Sequence, residues 1–139
     1  HATACAAALA AQRTIRERDL LTNVVKQGEL LADGLHDRFG QHPFVGDIRG
    51  RGLFRGIELV ADRETKEVFD PARKINAKIK KAAFARGLMA YPMGGTIDGV
   101  RGDHVLFAPP FIVTEDDVAK IIDLFELAMN DVFTAEGLS

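Results

Sequence analysis

Apolar side chains recur every three or four residues after Thr114, and they form the clearest helical stripe in the chain. The stripe consists of Val118, Ile121, Ile122, Phe125, Met129 and Val132. Thr114, with Asp117 three residues on, has the pattern of a capping box, which marks the start of a helix. We therefore predict a C-terminal amphipathic helix, with a frayed tail from Thr134 onward.

Two more stripes and one Ala-rich segment predict further helices. The first stripe begins after Asp19, a candidate N-cap residue, and ends at Gly40. The second begins at Asp70-Pro71, because an aspartate cap followed by proline in the first turn is a common helix start. Residues 2–18 are rich in alanine, which has the highest helix propensity, and they predict a long helix at the beginning.

Four short runs of β-branched and apolar residues predict strands. They cover 44–48, 53–60, 88–91 and 104–108. The RGRG stretch at 49–52 is predicted to connect the first two runs, and the glycine-rich stretch at 92–103 the last two. Strands in adjacent pairs with segregated helices predict an α+β fold. We expect a small, mostly antiparallel sheet covered by helices and preceded by the long N-terminal helix.

The composition is that of a soluble globular domain. The chain has 139 residues, of which 47% are hydrophobic and 27% charged, and this argues against disorder, collagen and coiled coil. A net charge of -2 lacks the basic excess of a nucleic-acid-binding protein. No apolar run approaches the roughly 20 residues of a membrane span. Cys5 is the single cysteine, so we expect no intramolecular disulfide and a cytoplasmic location.

The G-x-G-x-x-x-G stretch at 50–56 comes close to a dinucleotide-binding fingerprint. That fingerprint needs a helix after the glycines, and here a strand follows, so turn glycines are the better interpretation. Arg49, Arg51 and Arg55 form a basic cluster in the same stretch. Such a cluster either binds a carboxylate or phosphate or pairs with acids of a neighbouring domain, and the sequence leaves both possibilities open.

The segment 92–103, PMGGTIDGVRGD, is the most distinctive part of the chain. Long glycine-rich loops in compact domains are often functional, and their backbone N–H groups can face an anion. The segment lacks the Lys-Ser/Thr ending of a phosphate-binding P-loop. Asp98, Asp103 and His104 offer only two acids and one histidine, which favours ordinary turn residues, and we predict no metal site.

Five segments, in this order, resemble the C-terminal part of class III pyridoxal-phosphate-dependent aminotransferases, which have the fold-type-I architecture. They are HATACAAALA, VGDIRGRGLFRGIELV, FDP, ARGLMAYPMGG and GDHVLFAPPFIVTEDDV. The resemblance covers His1 to about Phe133. It implies that residues 1–18 form an interdomain helix and that residues 19–139 form the C-terminal small domain. Because the chain opens inside a predicted helix and without Met, we expect a fragment of a longer protein.

The resemblance also implies the activity of that longer protein. It would be a transaminase that moves an amino group from an amine or ω-amino acid to a keto acid, with pyridoxal phosphate as cofactor, and it would be a homodimer. The family's Schiff-base lysine lies upstream of the segment that matches His1. We therefore predict no catalytic and no cofactor-binding residue here, a fragment that is inactive alone, and docking to its own large domain.

Two positions depart from the family pattern where some members carry a substrate-binding arginine. Ornithine-type members have it immediately before F-A-P-P, where this chain has Leu106. Other members have Arg-Pro where this chain has Tyr91-Pro92, and a tyrosine cannot form a bidentate ion pair with a carboxylate. Arg101, in the glycine-rich segment just beyond, is our candidate replacement. The predicted substrate-binding residues are therefore Arg101 and Tyr91.

Two other hypotheses remain open from the sequence. One is a stand-alone α+β module that holds an anionic ligand with the glycine-rich segment and the arginine cluster. The other is a catalytically inactive paralogue that only dimerises. A free domain should begin with its own capped element, whereas HATACAAALA begins inside a helix, and this favours the aminotransferase domain.

Overall fold

The computed structural model describes residues 1–138. It contains α1 (Ala2–Glu17), α2 (Leu20–Phe39), β1 (Val45–Arg51), β2 (Phe54–Leu59), α3 (Ile75–Ala85), β3 (Tyr91–Gly94), β4 (Asp103–Phe107) and α4 (Glu115–Ala135). A single 3₁₀ turn, Pro71–Arg73, precedes α3. The order of helices and strands is the predicted one, and the predicted α+β class is confirmed.

The four strands form one antiparallel sheet in the order β1-β2-β4-β3. The sheet is built from two hairpins, β1–β2 and β3–β4, which meet along the central strands β2 and β4. A register shift between Val45 and Asp47 bulges the outer strand β1. A bulge in an edge strand discourages pairing with another sheet.

Helices α2, α3 and α4 cover one face of the sheet and enclose the hydrophobic core. At its centre, the ring of Phe125 lies edge-on to Phe39 and Phe107, with centroids 5.3 Å and 5.0 Å away. Edge-to-face pairs at this separation stabilise a core beyond the area that they bury. The opposite face of the sheet, which we call the outer face, carries no helix in residues 1–138.

The predicted start of α4 is confirmed in detail. Thr114 Oγ1 accepts a hydrogen bond from Asp117 N at 3.2 Å, and the Asp117 carboxylate accepts one from Thr114 N at 3.0 Å. The helix continues through Ala135, and Glu136 beyond it pairs with Arg73 and Lys78. The prediction of a frayed tail from Thr134 is therefore wrong, because these ion pairs anchor the helix end.

The β1–β2 connection is shorter than predicted. Strand β1 continues through Arg51, and the turn consists only of Gly52 and Leu53. Gly52 has a φ of 54°, whereas Leu53 has none of the positive values that favour glycine. A positive φ at the first central residue alone is typical of a type II′ hairpin turn. The RGRG stretch is therefore mostly strand.

The starts of α3 and β3 both lie later in the chain than predicted. Asp70 caps only the 3₁₀ turn, because Lys74 takes a left-handed φ of 52° before α3 begins. Strand β3 begins at Tyr91 instead of 88, because Leu88 still belongs to the capping turn that ends α3. Leu88 N bonds Ala83 O and Gly87 N bonds Phe84 O, which together form a Schellman motif.

Helix α1 differs from the other helices because none of its residues is buried. Within residues 1–138 it packs mainly against α2. Within residues 1–138, we find no helix whose length and hydropathy would let it cross a membrane.

Candidate functional site

The outer face of the sheet carries a shallow cleft of about 320 Å³. Strand alternation places Phe54, Gly56 and Glu58 of β2 on this face, opposite His104 and Leu106 of β4. Gly56 has no side chain, so the floor of the cleft is flat between Phe54 and Leu106. The cleft thus combines an apolar floor with polar groups at its rim.

Arg49 forms the polar rim on the β1 side. Its guanidinium donates to the carboxylates of Asp47 and Glu58, and both ion pairs lie at the surface. The two carboxylates outnumber the one cation. This part of the rim therefore offers no unpaired positive charge to an anion.

Arg55 has a different and structural role. Its side chain is half-buried on the helix side of the sheet, where it donates to the carbonyl oxygens of Gly52 (2.9 Å), Gly50 (2.8 Å) and Gly28 (3.1 Å). Arg51 lies exposed on the outer face. The structure therefore does not bring the three predicted arginines together, and the cluster is not a joint anion site.

The β3–β4 loop, residues 95–102, is held by its own backbone and by Asp98. Gly95 N donates to Gly102 O at 2.8 Å, and Gly99 N donates to Gly95 O at 3.0 Å. The Asp98 carboxylate accepts from the backbone N of Arg101 (2.7 Å) and of Val100 (3.0 Å). These bonds fix the loop although its side chains are exposed.

Arg101 is bound to the same carboxylate. Its Nε donates to Asp98 Oδ2 at 2.7 Å, and its side chain is 59% exposed. The backbone and side-chain donors of Arg101, with Val100 N, lower the pKa of Asp98 to about 2. Asp98 is therefore ionised at any physiological pH, and it fixes the guanidinium on one side only.

Tyr91 lies at the opposite end of β3 from this loop. It pairs with Leu106 on the outer face and is 56% exposed. Lys80 of α3 places its Nζ 5.9 Å from the centroid of the ring, within reach of a cation–π contact. Gly94 is three positions along the strand from Tyr91, about 10 Å at the usual rise. The structure therefore separates the two predicted substrate-binding residues along the hairpin.

Asp103 and His104, considered above as possible metal ligands, point to opposite faces of β4. Asp103 is buried on the helix side, where it accepts a hydrogen bond from Asn76 N at 3.3 Å, and burial raises its pKa. His104 lies on the outer face, where its Nδ1 is 2.7 Å from Thr96 Oγ1. Within residues 1–138 no three potential ligands converge on a metal position.

Two contacts at this face were missed in the sequence. The position of Asp98, three residues before Arg101 and next to glycine, is typical of an Asx turn. The sequence therefore contained a local signal for the contact between Asp98 and the loop backbone. The sequence contained no such signal for the contact of Lys80 with Tyr91, because this contact depends on how α3 packs against β3.

The family model described as aminotransferase class III matches residues 1–129. The chain belongs to the class III aminotransferase family. The sequence-based identification of the family is confirmed, together with its fold. Enzymes of this family depend on pyridoxal phosphate.

Relatives and solved structures agree with this membership. An uncharacterized aminotransferase of Schizosaccharomyces pombe is 42% identical over 135 residues, 97% of this chain and 29% of that protein. A taurine–pyruvate aminotransferase of Rhodobacter capsulatus is 39% identical over 89% of this chain and 26% of that protein. The crystal structure of the omega transaminase from Pseudomonas jessenii in complex with PMP superposes with a TM-score of 0.78 at 32% identity, covering 91% of this chain and 26% of that one.

This class III aminotransferase chain is short beside its relatives. It spans 29% of the length of the Schizosaccharomyces pombe protein and 26% of the Rhodobacter capsulatus protein. The outer-face cleft, the 95–102 loop and Tyr91 therefore lie in a stretch that corresponds to less than a third of each of these relatives.

Proposed function

We propose that this chain is the C-terminal small domain of a pyridoxal-phosphate-dependent transaminase, which moves an amino group from an amine or ω-amino acid to a keto acid. The observation that carries the proposal is the family match over residues 1–129. The similarity to a taurine–pyruvate aminotransferase supports the substrate class. Residues 1–18 are assigned to an interdomain helix and residues 19–139 to the small domain.

The described residues do not fit the cofactor by themselves. A pyridoxal-phosphate enzyme needs a lysine that holds the cofactor, in a site closed to water. Every lysine of this chain lies on the exposed surface: Lys26, Lys66, Lys74, Lys78, Lys80, Lys81 and Lys120. We therefore assign no catalytic and no cofactor-binding residue to this chain, and we expect the 139 residues alone to be inactive.

Arg101 is our candidate for the carboxylate of the acid substrate. Asp98 occupies only its Nε, and its two terminal nitrogens donate to none of the described residues. Two parallel terminal N–H groups are the donor arrangement that a carboxylate binds in a bidentate manner. Asp98 in turn holds the guanidinium in one orientation, which lowers the entropy that is lost on binding.

Tyr91 is assigned to the body of the substrate. Its exposed ring offers apolar contact area, and its hydroxyl can donate only one hydrogen bond. Because about 10 Å of strand separates it from the start of the loop, a substrate that touches both residues must be extended. An ω-amino acid, with its amino group and its carboxylate at opposite ends, meets this requirement.

The uncovered surfaces supply the proposed partners. Large exposed apolar side chains lie on the outer face and beside it, including Phe54, Tyr91, Met93, Phe111 and Ile112. Such surfaces mark sites of contact with another domain or subunit. We assign them to the large domain of the same protein and to the second subunit of a homodimer, which we place in the cytoplasm.

The test uses the full-length protein that contains these residues. Borohydride trapping of the cofactor should label one lysine outside the 139 residues. Arg101→Ala should raise the KM for the keto acid about tenfold and leave the KM of a donor amine without a carboxylate unchanged. Arg51→Ala, which removes an exposed arginine elsewhere on the sheet, is the matched control.

Each result has a separate meaning. An unchanged KM for the keto acid in Arg101→Ala would remove the role of Arg101 and leave the transaminase assignment intact. A trapped lysine inside these residues would contradict the placement of the cofactor. No trapping and no turnover in the full-length protein would favour the catalytically inactive paralogue.

A further inference from the structure

Asp98 is followed by Gly99, and an Asp-Gly pair is chemically the most reactive setting for an aspartate in a chain. The backbone nitrogen of Gly99 can attack Cγ of the protonated carboxyl group. The N–Cγ bond forms, the Cγ–OH bond breaks, and one water leaves to give a succinimide. Water then opens the ring at either carbonyl, which restores aspartate or gives isoaspartate, with no oxidant or reductant required.

The loop restrains both reacting groups. The nucleophile, Gly99 N, already donates to Gly95 O at 3.0 Å. The electrophile, the Asp98 carboxylate, accepts from Arg101 Nε at 2.7 Å and from two backbone N–H groups at 2.7 Å and 3.0 Å. These donors favour the ionised carboxylate, which has no hydroxyl leaving group.

We propose that Asp98–Gly99 is a latent isoaspartate-forming site and that the side chain of Arg101, together with the two backbone donors, keeps the carboxylate ionised and so slows the reaction. Removing the Arg101 side chain takes away one of the three donors and leaves the two backbone N–H bonds, so the carboxyl takes up a proton more readily and the succinimide forms faster. Isoaspartate adds one carbon to the main chain between Gly95 and Gly102, whose backbone hydrogen bond closes the loop at 2.8 Å. This inference does not depend on the proposed enzymatic function.

The chain contains its own control. Asp33–Gly34 is a second Asp-Gly pair, and it lies inside α2. Helical hydrogen bonding holds the nitrogen of Gly34, and Arg101 makes no hydrogen bond with this pair. A change that acts only through Arg101 therefore accelerates the reaction at Asp98 and leaves it unchanged at Asp33.

The experiment incubates the folded 139-residue chain at about pH 5 and measures isoaspartate at both pairs by peptide mapping, with an Asp-specific endoproteinase that does not cut at isoaspartate. Arg101→Ala should raise the rate at Asp98 about tenfold, the effect of one pKa unit on the protonated fraction. In urea, both pairs should react at similar rates. Arg101→Gln, which keeps more of the side chain, is the second variant.

Three results would overturn the proposal. The first is an unchanged rate at Asp98 in both Arg101 variants. The second is a rate at Asp98 in the folded wild-type chain as fast as in urea. The third is acceleration at Asp33 together with Asp98 in both variants, which would mean that the substitutions act by unfolding the chain.

Discussion

Gly28 of α2 and Gly52 of the β1–β2 turn lie in direct backbone contact. A methyl group on Gly28 would stand 2.5 Å from the carbonyl carbon of Gly52. Arg55 bridges the same contact, because it donates to the carbonyl oxygens of both glycines, at 3.1 Å and 2.9 Å. The helix and the hairpin are therefore joined at a point where α2 has no room for a side chain and where the turn residue takes a positive φ of 54°.

Gly28→Ala should destabilise the protein by up to about 2 kcal/mol, which is the usual overpacking cost of about 1–3 kcal/mol less about 1 kcal/mol of helix propensity that alanine gains over glycine. The atoms that the new methyl would meet are backbone atoms, which cannot move aside as a side chain does. The free energy of unfolding, measured by urea denaturation, checks this.

Gly34→Ala in the same helix is the matched control. Its methyl would meet only the end of the Ile122 side chain, at 2.4 Å, and this can rotate. Alanine also gains about 1 kcal/mol of helix propensity over glycine, so little net change is expected. Equal losses in the two variants would contradict the assignment of a special role to the Gly28–Gly52 contact.

The sequence predicted most of the helices because their signals are local. The stripe after Thr114, the capping box and the position at which α2 begins all depend on residues within one or two turns of each other. The predicted capping by Asp19 is wrong, because this residue takes a left-handed φ of 48° and its side chain makes no cap hydrogen bond. The boundaries that were wrong depend on more distant partners. The end of α4 is anchored by Arg73 and Lys78, more than fifty positions earlier in the chain.

The candidate site was predicted less completely than the fold. The sequence pointed to Tyr91 and Arg101 as one pair, and the structure puts Tyr91 at the far end of β3 from the loop that carries Arg101. The three arginines at 49–55 looked equivalent in sequence. Strand alternation turned Arg55 toward the helices and Arg49 toward two carboxylates, and that outcome required knowledge of the register.

His42 should make stability depend on pH near neutrality. Its half-buried ring lies 5.8 Å from Phe44 and 5.5 Å from Phe133, and burial lowers its pKa while the nearby Glu126 opposes this. Its Nδ1 also accepts a hydrogen bond from Phe44 N at 3.2 Å, which only the unprotonated nitrogen can do.

Because the pKa of His42 is lower in the folded chain than in the unfolded one, the stability that its neutral ring contributes is complete above about pH 6.5. This stability is lost as the pH falls further. His42→Gln should therefore lose less stability than the wild type between about pH 7.5 and pH 5.5. His36→Gln, at an exposed position of α2, is the control. A pH dependence that is identical in the wild type and His42→Gln would contradict this prediction.

Ionisation of Asp103 should destabilise the folded chain, whereas ionisation of an exposed, hydrogen-bonded aspartate stabilises it. It is 7% exposed, and its partner among the described hydrogen bonds is Asn76 N, at 3.3 Å. Burial raises its pKa, although His104 and the Asn76 bond act against this. A raised pKa means that the unfolded chain loses this proton first, so the charge costs stability once the pH exceeds about 3.9.

Asp103→Asn should therefore stabilise the folded chain at neutral pH, and the gain should vanish below about pH 3.9, where the wild-type carboxyl is also neutral. Asparagine keeps an oxygen that can accept from Asn76 N, so the start of α3 is retained. Asp62→Asn is the matched control, because Thr65 lowers the pKa of that exposed carboxylate and the substitution should cost stability at neutral pH. Urea denaturation at the two pH values checks both variants. A less stable Asp103→Asn at neutral pH would mean that the attraction between this carboxylate and the N-terminus of α3 outweighs the cost of burying it.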